Sequence, residues 1–351
     1  MNNTMLAAVL HGVEDLRVEQ LPVPELQAGQ VLLRVRRAGV CGTDVHYFQE
    51  GKCGNFVVTA PFILGHEVTG EIAALGAGVK RFEIGQRVVV NPSWQCGSCD
   101  YCRAGRGNLC RRVRMLGSAS TKPPTNGAFC EYLVLAAEQC FPIGAEIDDA
   151  IAAMMEPFAV ALHAARRAGN LAGRQVLITG GGPIGLLAAI VARTFGATTV
   201  ALSDPVESRR KMALKIGADA VLNPAAPTFK DDVAQLTGDG FDIMFEASGA
   251  PPAVAQASDV LRRGSTLVQI GVFSVPDVAI PVNQWMVREI NFVGSFRYGN
   301  VFEEGVRLLT AKRVDLRPLV SQVFPIAKAP QSLHAACQRE GNVKIQIDML
   351  S

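Results

Sequence analysis

The chain has 351 residues, 49% of them apolar and 19% charged, so it can bury the cores of two domains and is not a disordered, charge-rich polymer. Its 34 basic and 32 acidic residues leave a net charge of +2, scattered along the chain, which excludes the basic stripe of a nucleic-acid binder. A membrane span is excluded too, because the uncharged stretch from Gln175 to Ala192 is broken by glycines and Pro183 into strand, turn and helix.

The amino-terminal Met1-Asn2-Asn3-Thr4 leads into a short apolar run interrupted by His11, Glu14 and Asp15, which is not a signal-peptide pattern. The first third alternates apolar and polar residues between glycines and prolines. Val31-Leu32-Leu33-Arg34-Val35-Arg36 and Arg87-Val88-Val89-Val90 are examples, and they predict half-buried strands. Between them lie two unusual patches, Cys41-Gly42-Thr43-Asp44-Val45-His46 and Gly65-His66-Glu67. Taken singly, Cys41 reads as a small buried hydrophobe and His66 as a satisfied core histidine. Together they offer a thiolate, an imidazole and a carboxylate, a donor set that suits a zinc ion with one position left open. Such an ion lowers the pKa of an alcohol oxygen, and beside a nicotinamide cofactor that chemistry is alcohol oxidation.

Cys96, Cys99, Cys102 and Cys110 follow, spaced C-x₂-C-x₂-C-x₇-C in a stretch rich in Gly, Pro, Ser and Asn. Four thiolates about 2.3 Å from one metal close a tetrahedral shell, so this is the pattern of a structural zinc. Disulfides belong to small secreted chains, a redox C-x-x-C needs a strand-to-helix junction, and a plant-type iron–sulfur site begins C-x₄-C. None of these contexts fits. Arg111, Arg112 and Arg114 beside the last cysteine read as a solvated loop face. Reduced thiols available to metal imply a cytoplasmic protein.

From about Glu156 the texture changes. A helical pattern over Phe158 to Ala168 precedes Arg174 to Thr179, which reads as a wholly buried parallel strand. Strands and helices then alternate: Thr199–Ser203, Ser208–Gly217, Phe241–Phe245, Pro252–Leu261 and Ser265–Ile270. That order predicts a doubly wound parallel sheet. Gly180-Gly181-Gly182-Pro183-Ile184-Gly185 fits G-x-G-x-x-G between the first strand and its helix, where glycines let backbone approach a pyrophosphate. Asp204 ends the second strand, where a carboxylate accepts from the ribose hydroxyls of NAD and repels a 2′-phosphate, although it could instead cap the next helix. Arg209 could lie over the adenine or engage a 2′-phosphate. After about Val293 the pattern returns to mixed segments with a short strand near the end.

On these motifs the chain resembles the zinc-dependent medium-chain dehydrogenases, in their polyol and sugar-acid branch. Gly65-His66-Glu67-x₂-Gly70-x₅-Gly76-x₂-Val79 is similar to that family's zinc signature, and the four-cysteine lobe sits where the family carries one. The resemblance implies an α/β fold: a Rossmann doubly wound parallel sheet inserted in a β-rich, GroES-like catalytic domain, with the active site in the cleft. The catalytic domain would be residues 1–157 and 294–351, with the zinc lobe at about 91–115, and the NAD-binding domain residues 158–293.

It also implies roles. Cys41 and His66 would hold the catalytic zinc, with Glu67 as ligand or exchangeable neighbour and Glu156 as the carboxylate that binds directly or through water. Thr43 and His46 would relay the alcohol proton. Tyr47 and the Ser295-Phe296-Arg297-Tyr298 segment resemble a substrate pocket, in which Arg297 and Tyr298 reach substrate and the nicotinamide end. Gly271 and Val272 would lie against nicotinamide. Asn91-Pro92-Ser93, Leu116-Gly117-Ser118-Ala119 and Glu289 to Arg297 resemble the L-idonate 5-dehydrogenases, while Phe296 to Asn300 also resembles the sorbitol dehydrogenases. The implied protein holds two zinc ions per chain and NAD, forms a homo-oligomer (dimer or tetramer), and takes a small sugar acid or polyol. Its reaction would be oxidation of a secondary alcohol, L-idonate to 5-keto-D-gluconate. A sorbitol- or xylitol-type polyol dehydrogenase is the alternative, and a non-enzymatic NAD- and zinc-binding regulator a further one, disfavoured by the complete ligand set.

Overall fold

Alternation along Gln30–Gly39 turns Val31, Leu33 and Val35 to one face, and all three are fully buried. This strand is the spine of a 7-stranded sheet in a computed structural model that describes residues 3–338 and 341–351. The expectation about the amino terminus begins on Met1 and Asn2, which lie outside the described residues. Glu67–Leu75 and Tyr132–Ala136 pair antiparallel with the spine, and Lys344–Asp348 pairs with its carboxy-terminal end. Arg87–Val90 and Cys140–Pro142 extend one flank, and Val320–Pro325 the other. A 3-stranded sheet of Asp15–Pro22, Thr4–Gly12 and Phe62–Ile63 shares the same core, with Leu10, Leu64 and Phe129 inside it. Directly after the spine comes the helix Gly42–Glu50, which stops at Gly51 in the left-handed region (φ 66°).

These elements form one compact unit, which runs to Glu156 and resumes at Phe302; Pro157–Val301 form a second. The second unit is a six-stranded, wholly parallel sheet in the order Ala220–Leu222, Thr199–Ser203, Gln175–Thr179, Phe241–Glu246, Leu261–Gln269, Asn291–Gly294. That is the doubly wound order, reversing beside Gln175–Thr179. Phe241–Glu246 is buried at every position, as a parallel strand covered on both faces must be.

Three details differ from the sequence reading. The helix expected over Pro252–Leu261 is two short ones, Pro251–Ala255 and Ala257–Val260. The following strand starts at Leu261 rather than Ser265, because Arg262, Arg263 and Gly264 break the apolar pattern while Gly264 (φ 71°) and a register shift opposite Phe241 and Ile243 accommodate them. Residues 294–301 cluster with the parallel sheet: the Ser295 N–H donates to the Gln269 carbonyl at 2.9 Å, and Arg167 Nε to that of Gly294 at 3.0 Å. No helix among the described residues is long and apolar enough to cross a membrane.

Candidate functional site

Cys41 is the N-cap of the helix Gly42–Glu50. Its thiol therefore stands at the positive end of the helix dipole, where an anionic ligand is favoured. Asp44, fully buried, braces this corner. Its Oδ2 accepts the Cys41 N–H at 2.9 Å, its Oδ1 accepts the Gly65 N–H at 3.0 Å, and the same Oδ1 lies 3.9 Å from His66 Nδ1. One carboxylate thus ties together the two sequence patches. The ligand atoms of Cys41, His66 and Glu67 come within 4.8 Å of one another.

Burial by itself would lower the His66 pKa, but its neighbours Cys41 and Asp44 outweigh it and raise it well above the ordinary value. His66 Nδ1 is buried and has no hydrogen-bond partner. A thiol and carboxylates gathered around an imidazole whose buried Nδ1 is unpartnered among the described residues are a setting that a cation would suit. A zinc ion fits both that charge balance and the donor set.

Glu67 is already engaged. Lys344 Nζ donates to its two oxygens at 2.7 and 2.8 Å, and to the Val40 carbonyl at 3.0 Å, with both side chains buried. Burial works to lower the Lys344 pKa, yet Glu67 and Cys41 hold it above the usual lysine value. Gly39 makes the room, since a Cβ there would stand 2.0 Å from Glu67 Oε2. The sequence reading passed over Lys344. Its signal was a lysine and a glutamine alternating with apolar residues in Lys344–Asp348, a strand whose first four positions are all buried. Glu156 is buried in the first turn of Met155–Ala168, outside the three-residue cluster, and its charge acts on both His66 and Lys344.

The other residues of this unit fall as follows. Thr43 is half-buried and hydrogen-bonds Cys53. The side chain of His46 is 48% exposed, and its Nδ1 lies 2.9 Å from Glu50. Tyr47 is only 1% exposed; its ring meets Phe62 edge-on and its hydroxyl accepts the Ala119 N–H at 3.1 Å. Any part it has in a pocket is therefore to hold the 118–120 segment.

In the cysteine lobe Cys96, Cys99, Cys102 and Cys110 also gather within 4.8 Å, and none is in a disulfide. Sulfurs about 2.3 Å from a tetrahedral metal stand about 3.8 Å apart. The Cys96–Cys102 and Cys99–Cys102 separations are 3.9 and 3.5 Å. Backbone N–H groups of Cys96 and Arg112 both donate to Cys110 Sγ at 3.3 Å, and donation from Ser98 lowers the Cys96 pKa to about 5. Such donors stabilise thiolates.

In the second unit Gly180 turns the chain in the left-handed region (φ 95°) directly after Gln175–Thr179. Gly182 is the N-cap of Pro183–Thr194 with open space where its Cβ would be, which leaves the helix N-terminus accessible to a phosphate. Ile184 lies in the first turn, and a Cβ on Gly185 would strike the Gly180 carbonyl at 1.8 Å, so glycine sets the helix against the loop. Asp204 is buried, its Oδ2 accepting the Gly181 N–H at 2.7 Å and its Oδ1 the Val206 N–H at 2.8 Å. Arg209 reaches the same Oδ2 at 3.4 Å. The cap of Glu207–Lys215 is Val206, not Asp204.

Gly271 packs against Glu246 and Gly249, while Val272 beside it is 86% exposed. Phe296 is 52% exposed, and the Arg297 guanidinium lies 5.0 Å from its ring centroid. Arg297 holds a left-handed backbone (φ 52°), and its buried Nη1 has no hydrogen-bond partner; Tyr298 next to it is buried.

Two family descriptions match the chain: the alcohol dehydrogenase GroES-like domain over residues 27–145, and the zinc-binding dehydrogenase over residues 183–311. A sorbitol dehydrogenase of Bacillus subtilis is 37% identical over 335 residues, covering 95% of this chain and 94% of that protein. The crystal structure of L-idonate 5-dehydrogenase from Escherichia coli superposes with a TM-score of 0.93 at 33% identity, over 99% of this chain and 98% of the other. A Sinorhizobium meliloti protein described as a zinc-binding dehydrogenase, bound to NADP, gives 0.90 at 32% identity over 99% and 100%. Likeness of that depth along nearly the full length leaves one assignment: the chain belongs to the zinc-dependent medium-chain dehydrogenases, in their polyol and sugar-acid branch.

Proposed function

We propose that this enzyme oxidises a secondary alcohol of a sugar acid with NAD as hydride acceptor, converting L-idonate to 5-keto-D-gluconate. The observation that carries the acid over a neutral polyol is Arg297 Nη1, a buried guanidinium nitrogen with no acceptor among the described residues. A buried donor left unpaired is costly, and a guanidinium is matched by a carboxylate, which an aldonate has and a polyol lacks. The Escherichia coli neighbour acts on L-idonate by its description, and supports the reading. The Bacillus subtilis relative supports the polyol alternative.

Cys41 and His66 would hold the catalytic zinc with a carboxylate from Glu67 or Glu156, and the hold of Lys344 on both oxygens of Glu67 favours Glu156. Bound there, zinc supplies the Lewis acidity that lowers the pKa of an alcohol. The Thr43 hydroxyl would accept the alcohol proton as it hands its own on through the cofactor ribose toward His46, which is exposed, paired with Glu50, and able to release a proton to solvent. The cysteine lobe takes a second zinc. Gly180, Gly182, Pro183, Ile184 and Gly185 cradle the pyrophosphate, with Gly271, Val272 and Phe296 at the nicotinamide end.

The test is NAD reduction across L-idonate, D-gluconate, sorbitol, xylitol and L-threonine. L-Idonate should give the highest kcat/KM. Arg297→Leu should lower its oxidation by about 2–5 kcal/mol, roughly 30-fold or more, while sorbitol oxidation changes far less. Equal losses on both substrates would remove the acid reading and leave the polyol dehydrogenase.

Asp204 governs the nucleotide. A buried carboxylate fixed by two N–H groups repels a 2′-phosphate, so the wild type should prefer NAD. Asp204→Ser should free Arg209 to meet a phosphate and shrink the ratio of the NAD and NADP kcat/KM values by about tenfold or more. A wild type that uses both nucleotides equally would show that Arg209 already offsets Asp204.

A further inference from the structure

Glu246 ends the strand Phe241–Glu246 with no exposed surface. Its carboxylate accepts the Ser248 N–H at 2.8 Å, the Gly249 N–H at 3.1 Å, the Thr179 hydroxyl at 3.4 Å, the Gln269 amide at 2.6 Å, and the Ser248 hydroxyl. Every one of these donors is neutral. Its backbone carbonyl also receives the N–H groups of Ile270 and Gly271 at 2.8 and 2.9 Å. One residue therefore gathers the ends of three neighbouring parallel strands: Gln175–Thr179, its own, and Leu261–Gln269.

The backbones it gathers touch. A Cβ on Gly180 would lie 2.8 Å from the Ser248 nitrogen, and one on Gly249 2.4 Å from the Val272 oxygen. One on Gly271 would stand 2.7 Å from Glu246 Oε2 and 2.4 Å from the Gly249 nitrogen. Burying a carboxylate is expensive unless its lone pairs are filled, and the parallel ladder closes these strands without it. What the carboxylate adds lies beyond the strand ends. It fixes the spacing between the glycine-rich loop, with the accessible helix N-terminus at Gly182, and the segment that presents exposed Val272.

We propose that Glu246 is a positioning residue that clamps the Gly180–Gly182 loop and the Gly271–Val272 segment at one separation, so that a dinucleotide meets both without reordering either. The inference rests on the second unit being the dinucleotide site. A mononucleotide such as AMP, which needs only the Asp204 end and the glycine-rich loop, depends on the clamp far less.

Calorimetry on the zinc-loaded protein tests this with AMP and NAD as probes. Glu246→Gln keeps the shape but turns an amide N–H toward groups that are themselves donors. It should weaken NAD by about tenfold while AMP changes by less than about twofold. Amide exchange at Gly249 and Gly271 should quicken in the free protein, with Gln175–Thr179 still protected. Equal weakening of both nucleotides, or unchanged NAD affinity, overturns the clamp. Should Glu246→Gln fail to fold, Thr179→Val removes one donor and no charge, and an NAD-selective loss of about threefold supports the same conclusion. Equal effects of Thr179→Val on AMP and NAD overturn it. A wild type that binds neither probe overturns the dinucleotide reading itself, a result distinguishable from failure of the clamp alone.

Discussion

Cys99→Ala should take the purified protein from two zinc ions per chain to one, and make residues 96–112 the first place a protease cuts. Over that span only Gly107 and Cys110 are buried, so no apolar core holds the lobe closed. What remains is two short turns, Asp100–Arg103 and Gly107–Leu109, exposed arginine contacts to Asp100, Ser98 and Tyr101, and four sulfurs. Exposed contacts of this kind contribute little, because water screens them. Structural zinc binds zinc-finger peptides with about 10–16 kcal/mol, nearly all of which appears as folding energy. Removing one thiolate should therefore melt the lobe while the rest of the chain stays folded. Elemental analysis and limited proteolysis read the two outcomes. A variant that keeps two zinc ions, or is cut no faster than the wild type, would show that the lobe is held by something other than metal.

Lys344→Met should lower unfolding stability by about 3–5 kcal/mol, the usual cost of stranding one member of a buried ion pair. Methionine fills the volume but leaves Glu67 charged, buried and without its ammonium partner. Urea unfolding at neutral pH measures the loss. Glu67→Gln combined with Lys344→Met should recover part of it, because the stranded charge has gone, and the two changes should be strongly non-additive. Independent, additive effects would mean that the pair is incidental. The single variant should also alter metal content at the Cys41 and His66 cluster, since a freed Glu67 becomes a competing ligand.

The features legible in the sequence were those whose spacing is itself chemical: the four cysteines, the glycines 180–185, and Cys41 with His66 and Glu67. Apolar runs such as Gln175–Thr179 also declared themselves, because a strand buried on both faces has almost nothing but apolar residues to show. Polar residues placed by tertiary contacts did not. Lys344 meets Glu67 across 277 residues, and no local pattern encodes that meeting. The sequence reading stopped its strand at Phe245 and passed over Glu246, and the resemblance that placed Tyr47 at a pocket gave no sign that its hydroxyl accepts the Ala119 N–H. The missed start of Leu261–Gln269 has the same origin: Arg262 and Arg263 look like a loop until the neighbouring strand pairs with Leu261.

The pairing of Lys344–Asp348 between Gln30–Gly39 and Val320–Pro325 has a consequence for how the chain is made. By the time Val301 has left the ribosome every strand of the parallel sheet exists, and at about 5–20 residues per second it has seconds in which to fold. The β-rich unit cannot finish then. One place in its main sheet stays vacant until residues 344–348 emerge, and meanwhile Arg37–Gly39, at the end of the spine strand, offers an unpaired edge to any passing strand. Loss of Lys344–Asp348 would thus remove an interior strand, and the nascent chain is open to misassembly at that place until those residues emerge.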